Sequence, residues 1–356
     1  MRAAVLHGPR DIRVETVPDP KCGEHDIVLE VAACGICGSD LHMYAKGMFM
    51  EPGQIVGHEF SGRVVAVGSQ VAGIEESQRV TASPNVDCGS CARCASGEPL
   101  LCEKQAGNVI SAGLPGAFAE YVRIPKARLG QTVFPLPDSM SYETAAMTEP
   151  YAVGLRIAHH AAPGPHDTAV VFGLGTIGLT AVQTLMLAGA GRVVGVDRSA
   201  RRLAAARQLG AASVVDASQT GWEAELAELT GAGAAGYGGS PSGNADIVCE
   251  CTGSPAVLAT AIETARRGGS LVVVALYEEP AELDPNQIVI KDLRVHGSFG
   301  YGSGAFKGFP DALSLLEQGK LQAEPLITHR MTLEEIEPAF EAQLDRDASI
   351  KVMVSP

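Results

Sequence analysis

The stretch Gly173-Leu174-Gly175-Thr176-Ile177-Gly178 decides the fold of the middle of this chain, and it directly follows the apolar run 169–172. That run has the β-branched and aromatic residues of a buried strand, while residues 179–188 are typical of a helix. The first glycine permits a tight turn, the second lets the backbone approach a pyrophosphate, and the third lets the helix pack closely. The motif therefore predicts a dinucleotide-binding turn.

Asp197 identifies the favoured dinucleotide, because it ends the next apolar run about twenty residues after the glycines. A carboxylate at this position binds the adenosine ribose hydroxyls and repels a 2′-phosphate. The nearby Arg198 and Arg202 instead favour the 2′-phosphate of NADP. We expect NAD as the cofactor, with NADP left open.

The change along the chain from mostly strands to alternating strands and helices predicts two domains, as its length of 356 residues also suggests. In the middle, strands at 169–172, 193–196, 247–250 and 271–275 are separated by helical stretches at 201–209 and 255–267. This alternation predicts a parallel sheet. Before residue 133 the chain is β-rich, with strands at 26–32, 62–68 and 78–83. The last part predicts a helix at 310–318, a capping box at 332–335 and a strand at 350–354.

Charge and targeting signals limit the partners. The 41 acidic and 27 basic side chains give a formal charge of −14, which repels the phosphates of nucleic acid. The first residues lack the apolar core of a signal peptide, so we expect a cytoplasmic protein. Residues 168–191 are uncharged, but their five glycines indicate a buried strand, turn and helix instead of a membrane span.

Four of the nine cysteines are clustered with the spacing C-x2-C-x2-C-x7-C. Four thiolates on one short loop suit a tetrahedral zinc with no open position, which is a structural site. A disulfide framework is disfavoured in a reducing compartment, and the last gap is longer than in bacterial iron–sulfur motifs. The predicted ligands of this structural zinc are Cys88, Cys91, Cys94 and Cys102.

Upstream lie Gly35-Ile36-Cys37-Gly38-Ser39-Asp40-Leu41-His42 and Gly57-His58-Glu59. Followed by the four cysteines and the glycine motif, they resemble the zinc-dependent medium-chain alcohol dehydrogenases, in the sorbitol, butanediol and threonine dehydrogenase branch. The resemblance covers essentially the whole chain. It implies an α/β protein with a GroES-like β-rich catalytic domain (1–151 and 297–356, zinc lobe 84–105). A Rossmann domain, a doubly wound parallel sheet that binds NAD, is inserted at 152–296.

Oxidising an alcohol needs a proton removed from oxygen while hydride leaves carbon, and zinc makes that proton acidic near neutrality. A catalytic zinc takes three protein ligands and keeps one open position. Cys37 and His58 are the first candidates. The resemblance offers Glu59 and Glu149 for the remaining position and leaves open which of them binds. Together with the structural zinc, this predicts two zinc ions per chain.

The resemblance also assigns roles around this zinc and the cofactor. Asp40 accepts the second ring N–H of His58. Ser39 and His42 form a proton relay from the substrate to solvent. The remaining cofactor contacts are Arg202 near the adenosine, and Thr252, Leu276 and Phe299 near the nicotinamide, although simple packing explains the last three nearly as well.

The substrate is a small-molecule alcohol with its ketone. The sorbitol type carries an aromatic-Arg-Tyr run where this chain has Phe299-Gly300-Tyr301, which weakens a sugar-polyol assignment. Residues 43–50 are unusually apolar, so we expect a largely apolar secondary alcohol or diol, unless Met43, Met48 and Met50 only fill the core. Sorbitol or L-threonine 3-dehydrogenase activity is the alternative.

Three other functions fit these motifs less well. A zinc-free quinone or enoyl reductase should lack Cys37, His58 and the four cysteines. A non-catalytic zinc- or nucleotide-binding protein needs no relay residues. Cys34 and Cys37 form a C-x-x-C pair, but they lie outside any βαβ pattern, which disfavours a redox motif.

The strand at 293–297 should end the parallel sheet, and its free edge predicts a homodimer or homotetramer.

Overall fold

The computed structural model describes residues 1–105, 107–231, 233, 243–301 and 307–356. The chain divides into two compact units, one of Met1–Glu149 with Gly302–Pro356 and one of Pro150–Tyr301. The predicted insert, 152–296, is shorter at both ends than the second unit.

The first part of the chain is mostly short strands. It forms, in order, β1 (Arg2–Gly8), β2 (Asp11–Thr16), β3 (Ile27–Gly35), α1 (Gly38–Lys46), β4 (Gln54–Ile55), β5 (Glu59–Val67), β6 (Arg79–Ala82), α2 (Ala92–Ala95), β7 (Val109–Ile110), β8 (Gly113–Leu114), β9 (Tyr121–Ile124), β10 (Val133–Pro135), α3 (Tyr142–Ala146) and α4 (Thr148–Ala161).

From Thr168 onward strands and helices alternate. The elements are β11 (Thr168–Phe172), α5 (Thr176–Leu187), β12 (Arg192–Asp197), α6 (Ala200–Gln208), β13 (Ser213–Asp216), α7 (Trp222–Thr230), β14 (Ala245–Glu250), α8 (Pro255–Thr264), β15 (Ala265–Val273), α9 (Pro285–Lys291) and β16 (Arg294–Gly297). The chain ends with α10 (Gly308–Glu317), β17 (Ile327–Thr332), α11 (Ile336–Leu344) and β18 (Lys351–Ser355). Short 3-10 helices lie at Pro99–Leu101, Glu324–Leu326 and Leu333–Glu335.

The second unit contains a six-stranded sheet in the order β13-β12-β11-β14-β15-β16. All its strand pairs are parallel, which confirms the predicted sheet. Its strands carry fully buried side chains such as Val170, Val194 and Val248. The strand order reverses between β11 and β14, and dinucleotides bind beyond the carboxyl ends of strands at such a point.

Residues 168–191 form β11 and α5, as predicted. Within the described ranges, no helix is both long and apolar enough to cross a membrane.

The predicted C-terminal end of the helix at 255–267 is wrong. α8 ends at Thr264, and Ala265 already begins β15. The buried Lys291 explains this early end, because its Nζ donates to the carbonyl oxygens of Ile262 at 2.8 Å and of Ala265 at 3.2 Å. A lysine that binds the last carbonyls of a helix stabilises its C-terminus from a distant part of the sequence.

The first unit contains a seven-stranded sheet with the path β10-β6-β5-β3-β18-β17, and β9 also pairs with β3. The C-terminal strand β18 runs antiparallel to β3, with Met353 opposite Gly35. On its other side β3 pairs with β5, where Gly35 lies opposite Glu59. These pairings bring Gly35, Glu59 and the strand β18 to one place in the sheet.

Candidate metal and cofactor sites

The four clustered cysteines converge in the first unit. The Sγ atoms of Cys91 and Cys94 are 3.5 Å apart, and Cys88–Cys94 and Cys91–Cys102 are each separated by 3.9 Å. Four thiolates at ~2.3 Å from a tetrahedral zinc lie about 3.8 Å from one another. The geometry fits one zinc held by four sulfurs.

Backbone N–H groups point at these sulfurs. The N–H groups of Ser90 and Cys91 donate to Cys88 Sγ at 3.5 and 3.3 Å. These hydrogen bonds lower the pKa of Cys88 to about 5, so its surroundings favour the thiolate at this position. Thiolates are the form that binds zinc.

A second group in the first unit consists of Cys37, His58 and Glu59, whose ligand atoms all lie within 4.8 Å of one another. Cys37 is the N-cap of α1, so the end of a helix fixes its position. His58 and Glu59 follow Gly57, whose φ is +95°, and a Cβ there would come within 2.7 Å of the Phe118 ring. Only glycine fits this turn.

Asp40 lies behind this group and is fully buried. One of its carboxylate oxygens accepts the backbone N–H of Cys37 at 2.9 Å, and the other lies 3.6 Å from Nδ1 of His58. Burial opposes the charged imidazole, but Asp40 and Cys37 outweigh it and raise the pKa of His58 well above its usual value. With Nδ1 facing Asp40, Nε2 is the ring nitrogen left for a metal.

Glu59 is paired with Lys351, a residue for which the sequence analysis assigned no role. Lys351 Nζ lies 2.6 Å from Glu59 Oε2 and donates to the carbonyl oxygen of Ile36 at 2.8 Å. Both side chains are 1% exposed. A Cβ on Gly35 would lie 2.4 Å from Glu59 Oε2, so this glycine makes room for the pair. A lysine inside the apolar strand 350–354 indicates a buried acidic partner, because a buried charge needs compensation.

Glu149, the other predicted ligand, is buried but lies outside the group of Cys37, His58 and Glu59. Burial raises its pKa to about 7; Glu59 adds to this shift, while His58 and Lys351 oppose it. These electrostatic interactions show that Glu149 lies in the same part of the first unit as His58 and Glu59. Its role as a ligand stays a prediction.

The charges of this region fit a cation. The carboxylates of Asp40 and Glu59 are buried and act electrostatically on the buried Glu149, and in the described part of the chain Lys351 is the one fully buried lysine or arginine that acts on Glu149. Buried charges need compensation. A divalent metal held by a thiolate, an imidazole and a carboxylate supplies it, and this donor set suits zinc.

Ser39 and His42 are three residues apart in α1 and are both half-buried. This spacing places them on one face of the helix, next to the Cys37 end. The arrangement is compatible with a relay, which stays a prediction.

The glycine turn of the second unit has the expected constraints. Gly173 has a φ of +84°, and a Cβ on Gly178 would lie 1.8 Å from the Gly173 carbonyl oxygen. At Gly175 the nearest atom to such a Cβ is Nη1 of Arg202, at 3.8 Å, so the backbone here is open. Gly175 caps α5 without a side-chain hydrogen bond. The N-terminus of α5, with its backbone N–H groups, is the part of a helix that binds phosphate.

Asp197 lies beside this turn at the end of β12. Its carboxylate accepts the backbone N–H of Leu174 at 2.6 Å and those of Arg198 and Ser199 at 2.7 and 2.9 Å. Three N–H donors fix its orientation. Arg202 stands close to Gly175, while Ile177 of the turn is half-buried.

The three residues predicted near the nicotinamide are exposed. Leu276 is 45% and Phe299 is 56% exposed, and Thr252 is exposed too. Their role near the nicotinamide stays a prediction. They follow β14, β15 and β16, the strands on one side of the point where the strand order reverses.

The apolar segment after His42 has a different explanation. Met43 is buried in the core of the first unit, and Met50 packs against the same core. Only Phe49, 70% exposed, and the half-buried Met48 remain candidates for a substrate contact in this segment. Two of the three methionines that suggested an apolar pocket thus fill the core.

The C-x-x-C pair is no disulfide, since all nine cysteines are free. Cys34 is fully buried, and burial raises its pKa well above the usual value, with Asp40 and Glu59 adding to the shift. A buried thiol of raised pKa is inert, which disfavours redox chemistry here.

Comparison with known proteins places the chain in a family. The model described as "Alcohol dehydrogenase GroES-like domain" matches residues 23–138, and "Zinc-binding dehydrogenase" matches residues 176–318. Sorbitol dehydrogenase of Bacillus subtilis (strain 168) is 33% identical across 100% of this chain and 97% of that protein. (R,R)-butanediol dehydrogenase of the same strain is 36% identical across 100% of both. L-threonine 3-dehydrogenase of Bacillus licheniformis is 34% identical across 92% and 90%.

Solved structures agree with these relatives. The crystal structure of 2R,3R-butanediol dehydrogenase from Bacillus subtilis has a TM-score of 0.85 and 35% identity, covering 100% of this chain and 99% of that chain. An Escherichia coli CFT073 alcohol dehydrogenase complexed with NADH gives 0.86 and 28%, with the same coverage. A zinc-binding dehydrogenase from Sinorhizobium meliloti 1021 bound to NADP gives 0.85 and 31%, again with that coverage.

The chain therefore belongs to the zinc-dependent medium-chain alcohol dehydrogenase family, with a GroES-like and a Rossmann domain. It is an oxidoreductase of small-molecule alcohols, and the resemblance found in the sequence is confirmed.

Proposed function

We propose that this chain oxidises a small secondary alcohol or diol to the ketone, with NAD as hydride acceptor and two zinc ions per chain. The observation that carries this proposal is the convergence of Cys37, His58 and Glu59, with Asp40 behind the ring of His58. Bound zinc would act as a Lewis acid that makes the alcohol proton acidic. The Ser39 hydroxyl would accept that proton while it releases its own, and His42 would take up the released proton and pass it to solvent.

Metal content measured together with activity tests this function. The purified protein should hold two zinc ions per chain, and its reduction of NAD by an alcohol should stop after treatment with a chelator. Full zinc content without turnover on any alcohol would instead support a non-catalytic zinc- and nucleotide-binding protein.

Asp197 determines the choice between NAD and NADP. Replacing it by serine removes the carboxylate that repels a 2′-phosphate, while Arg202 remains near the turn to bind it. We expect Asp197→Ser to shift the ratio of kcat/KM values for NAD and NADP by about 100-fold toward NADP, or about 2.7 kcal/mol. Steady-state kinetics with both cofactors measure this ratio.

Glu228→Gln is the matched control, because Glu228 is exposed on α7 of the same unit. Its ratio should equal that of the unchanged protein. An Asp197→Ser variant that keeps the original preference would show that this carboxylate does not select the cofactor.

The proposed substrate depends on the position at which the sorbitol type carries an anchoring arginine. Gly300, with a φ of +59°, stands between Phe299 and Tyr301 and has no side chain to bind a sugar chain. The names of three relatives contain sorbitol, butanediol and threonine. Each of these compounds has a secondary alcohol with an oxygen or nitrogen on a neighbouring carbon. We favour a short diol with apolar ends over a polyol or an amino acid.

A substrate series distinguishes these classes. We expect kcat/KM for butane-2,3-diol and short aryl or alkyl carbinols to exceed that for sorbitol, xylitol and L-threonine by at least about tenfold, the value of one hydrogen-bonded or apolar contact. The reverse order would support polyol or L-threonine 3-dehydrogenase activity.

For assembly we propose a homodimer or homotetramer. β16 ends the six-stranded sheet, and its Val295 is 46% exposed, which leaves an edge that a second copy can pair with. A monomeric mass in light scattering at micromolar concentration would contradict this. Nine cysteines without a disulfide fit the reducing cytoplasm, our proposed location, and secretion of the native protein would contradict it.

A further inference from the structure

Glu250, at the carboxyl end of β14, is a fully buried carboxylate that neither metal site uses. Its Oε1 accepts the backbone N–H groups of Thr252 at 2.7 Å and of Gly253 at 3.2 Å, and also the hydroxyl of Thr252. Its Oε2 accepts the hydroxyl of Tyr277 at 2.5 Å. One side chain thus holds two loops, the one after β14 and the one after β15.

Every partner of Glu250 is a donor, which is what an acceptor-only carboxylate requires. Burial and Glu250 together raise the pKa of Tyr277, so this hydroxyl stays a donor. Among the residues that the structure describes, no cation lies within ion-pair distance of Glu250. A buried carboxylate without a cation is costly unless hydrogen bonds fully satisfy it, and here they order a loop.

One of the loops that Glu250 holds, the loop after β14, lies against the glycine turn. A Cβ on Gly173 would approach Thr252 Cγ2 to 2.6 Å, so the turn and the loop after β14 are in close contact. A Cβ on Gly253 would lie 2.4 Å from the carbonyl oxygen of Leu276, so the loop after β14 also touches the loop after β15. All three segments follow the carboxyl ends of neighbouring strands, β11, β14 and β15.

The strand order assigns these loops to one half of a dinucleotide. A doubly wound sheet consists of two mononucleotide-binding halves that meet where the strand order reverses. Asp197 ends β12 in the first half, which takes the adenosine. Thr252 and Leu276 follow strands of the second half, which takes the nicotinamide.

We propose that Glu250 is a positioning residue for the nicotinamide half of the cofactor, acting through Thr252 and the loop anchored by Tyr277. This inference rests on the proposed use of a nicotinamide dinucleotide. Glutamine at position 250 keeps the shape of the side chain, but its amide nitrogen cannot accept a hydrogen bond. Either the loop N–H groups or the Tyr277 hydroxyl then lose their acceptor, and the loops shift away from the geometry that fits the nicotinamide.

The test compares two ligands on the full-length, zinc-loaded protein. NADH fills both halves of the site, whereas ADP-ribose lacks the nicotinamide. For Glu250→Gln we expect the Kd of NADH to rise at least about tenfold, while the Kd of ADP-ribose changes less than about twofold. Fluorescence titration with NADH and calorimetry with ADP-ribose give these values. KM for the cofactor should rise more than kcat falls.

Two further variants keep the test decisive. Tyr277→Phe removes a single donor to Glu250 and should raise the Kd of NADH about threefold with the same selectivity, even if Glu250→Gln folds poorly. Glu228→Gln makes the same chemical change on the surface of the unit and should change neither Kd.

Three outcomes would overturn the inference. Equal loss of NADH and ADP-ribose would show that Glu250 only supports the fold of the unit, and unchanged affinity for NADH would show that it positions nothing. If the unchanged protein bound neither ligand, the proposed cofactor itself would be wrong, which is a different failure from the first two.

Discussion

Replacing Cys37 by serine should lower kcat/KM by at least about 1,000-fold and reduce the zinc content from two ions per chain to one. Cys37, His58 and Glu59 form one ligand group, and a serine hydroxyl does not replace a thiolate as a zinc ligand. A lost Lewis acid removes several kcal/mol of transition-state stabilisation, which corresponds to about that factor. Metal analysis and initial-rate kinetics on the same preparation measure both effects.

The fold should survive this change. Cys37 is the N-cap of α1, a position for which serine is among the preferred residues. Affinity for NADH should also stay the same, since the glycine turn and Asp197 belong to the other unit.

Cys22→Ser is the control for this experiment. Cys22 is half-buried near Asp26 and belongs to neither group of metal ligands. It should keep two zinc ions and full activity. A Cys37→Ser enzyme with one zinc and undiminished turnover would show that the catalytic metal lies elsewhere or is not needed.

Local patterns in the sequence were enough to predict the glycine turn, the parallel strands and the four-cysteine loop. Each depends on residues within about thirty positions of one another, such as Gly173 and Asp197, or Cys88 and Cys102. The roles of the catalytic group were taken from the family resemblance. Spacing alone does not bring Cys37 to His58, because the pairing of β3 with β5 does so.

The features that local sequence patterns do not reveal depend on contacts between distant segments. Lys351 reaches Glu59 because β18 pairs with β3, and no local periodicity encodes that pairing. Lys291 ends α8 from a helix further along the chain. Met43 and Met50 were candidates for a substrate pocket, but they pack on the core of the first unit. Apolar residues in a loop do not reveal which way they face until the surrounding strands are placed.

Lys351→Met should lower the midpoint of thermal unfolding of the zinc-loaded protein by about 10 °C. Removing one partner of a buried ion pair costs about 3–5 kcal/mol, because the other charge stays buried without its ion-pair partner. Glu59 and Lys351 are each 1% exposed and 2.6 Å apart, so water cannot replace the lost lysine. Methionine retains most of the volume of lysine, so the loss reports the charge more than a cavity.

A double-mutant cycle measures the coupling between Glu59 and Lys351, and the zinc content of each variant separates the ion pair from loss of the proposed metal. Glu59→Gln alone should also destabilise the protein, because it leaves Lys351 buried beside a neutral amide. The combination of Glu59→Gln with Lys351→Met leaves neither charge, so its cost should be smaller than the sum of the two by at least about 1 kcal/mol.

The exposed Lys320 provides the matched control, since Lys320→Met removes the same charge from the surface of the first unit and should leave the midpoint within about 1 °C. Strict additivity in the cycle, or a Lys351→Met protein as stable as the unchanged one, would show that the ion pair does not stabilise the fold. Zinc content completes the experiment, because Glu59 is also a proposed zinc ligand. If Lys351 holds Glu59 in place for the metal, Lys351→Met should retain the four-cysteine zinc and lose part of the other.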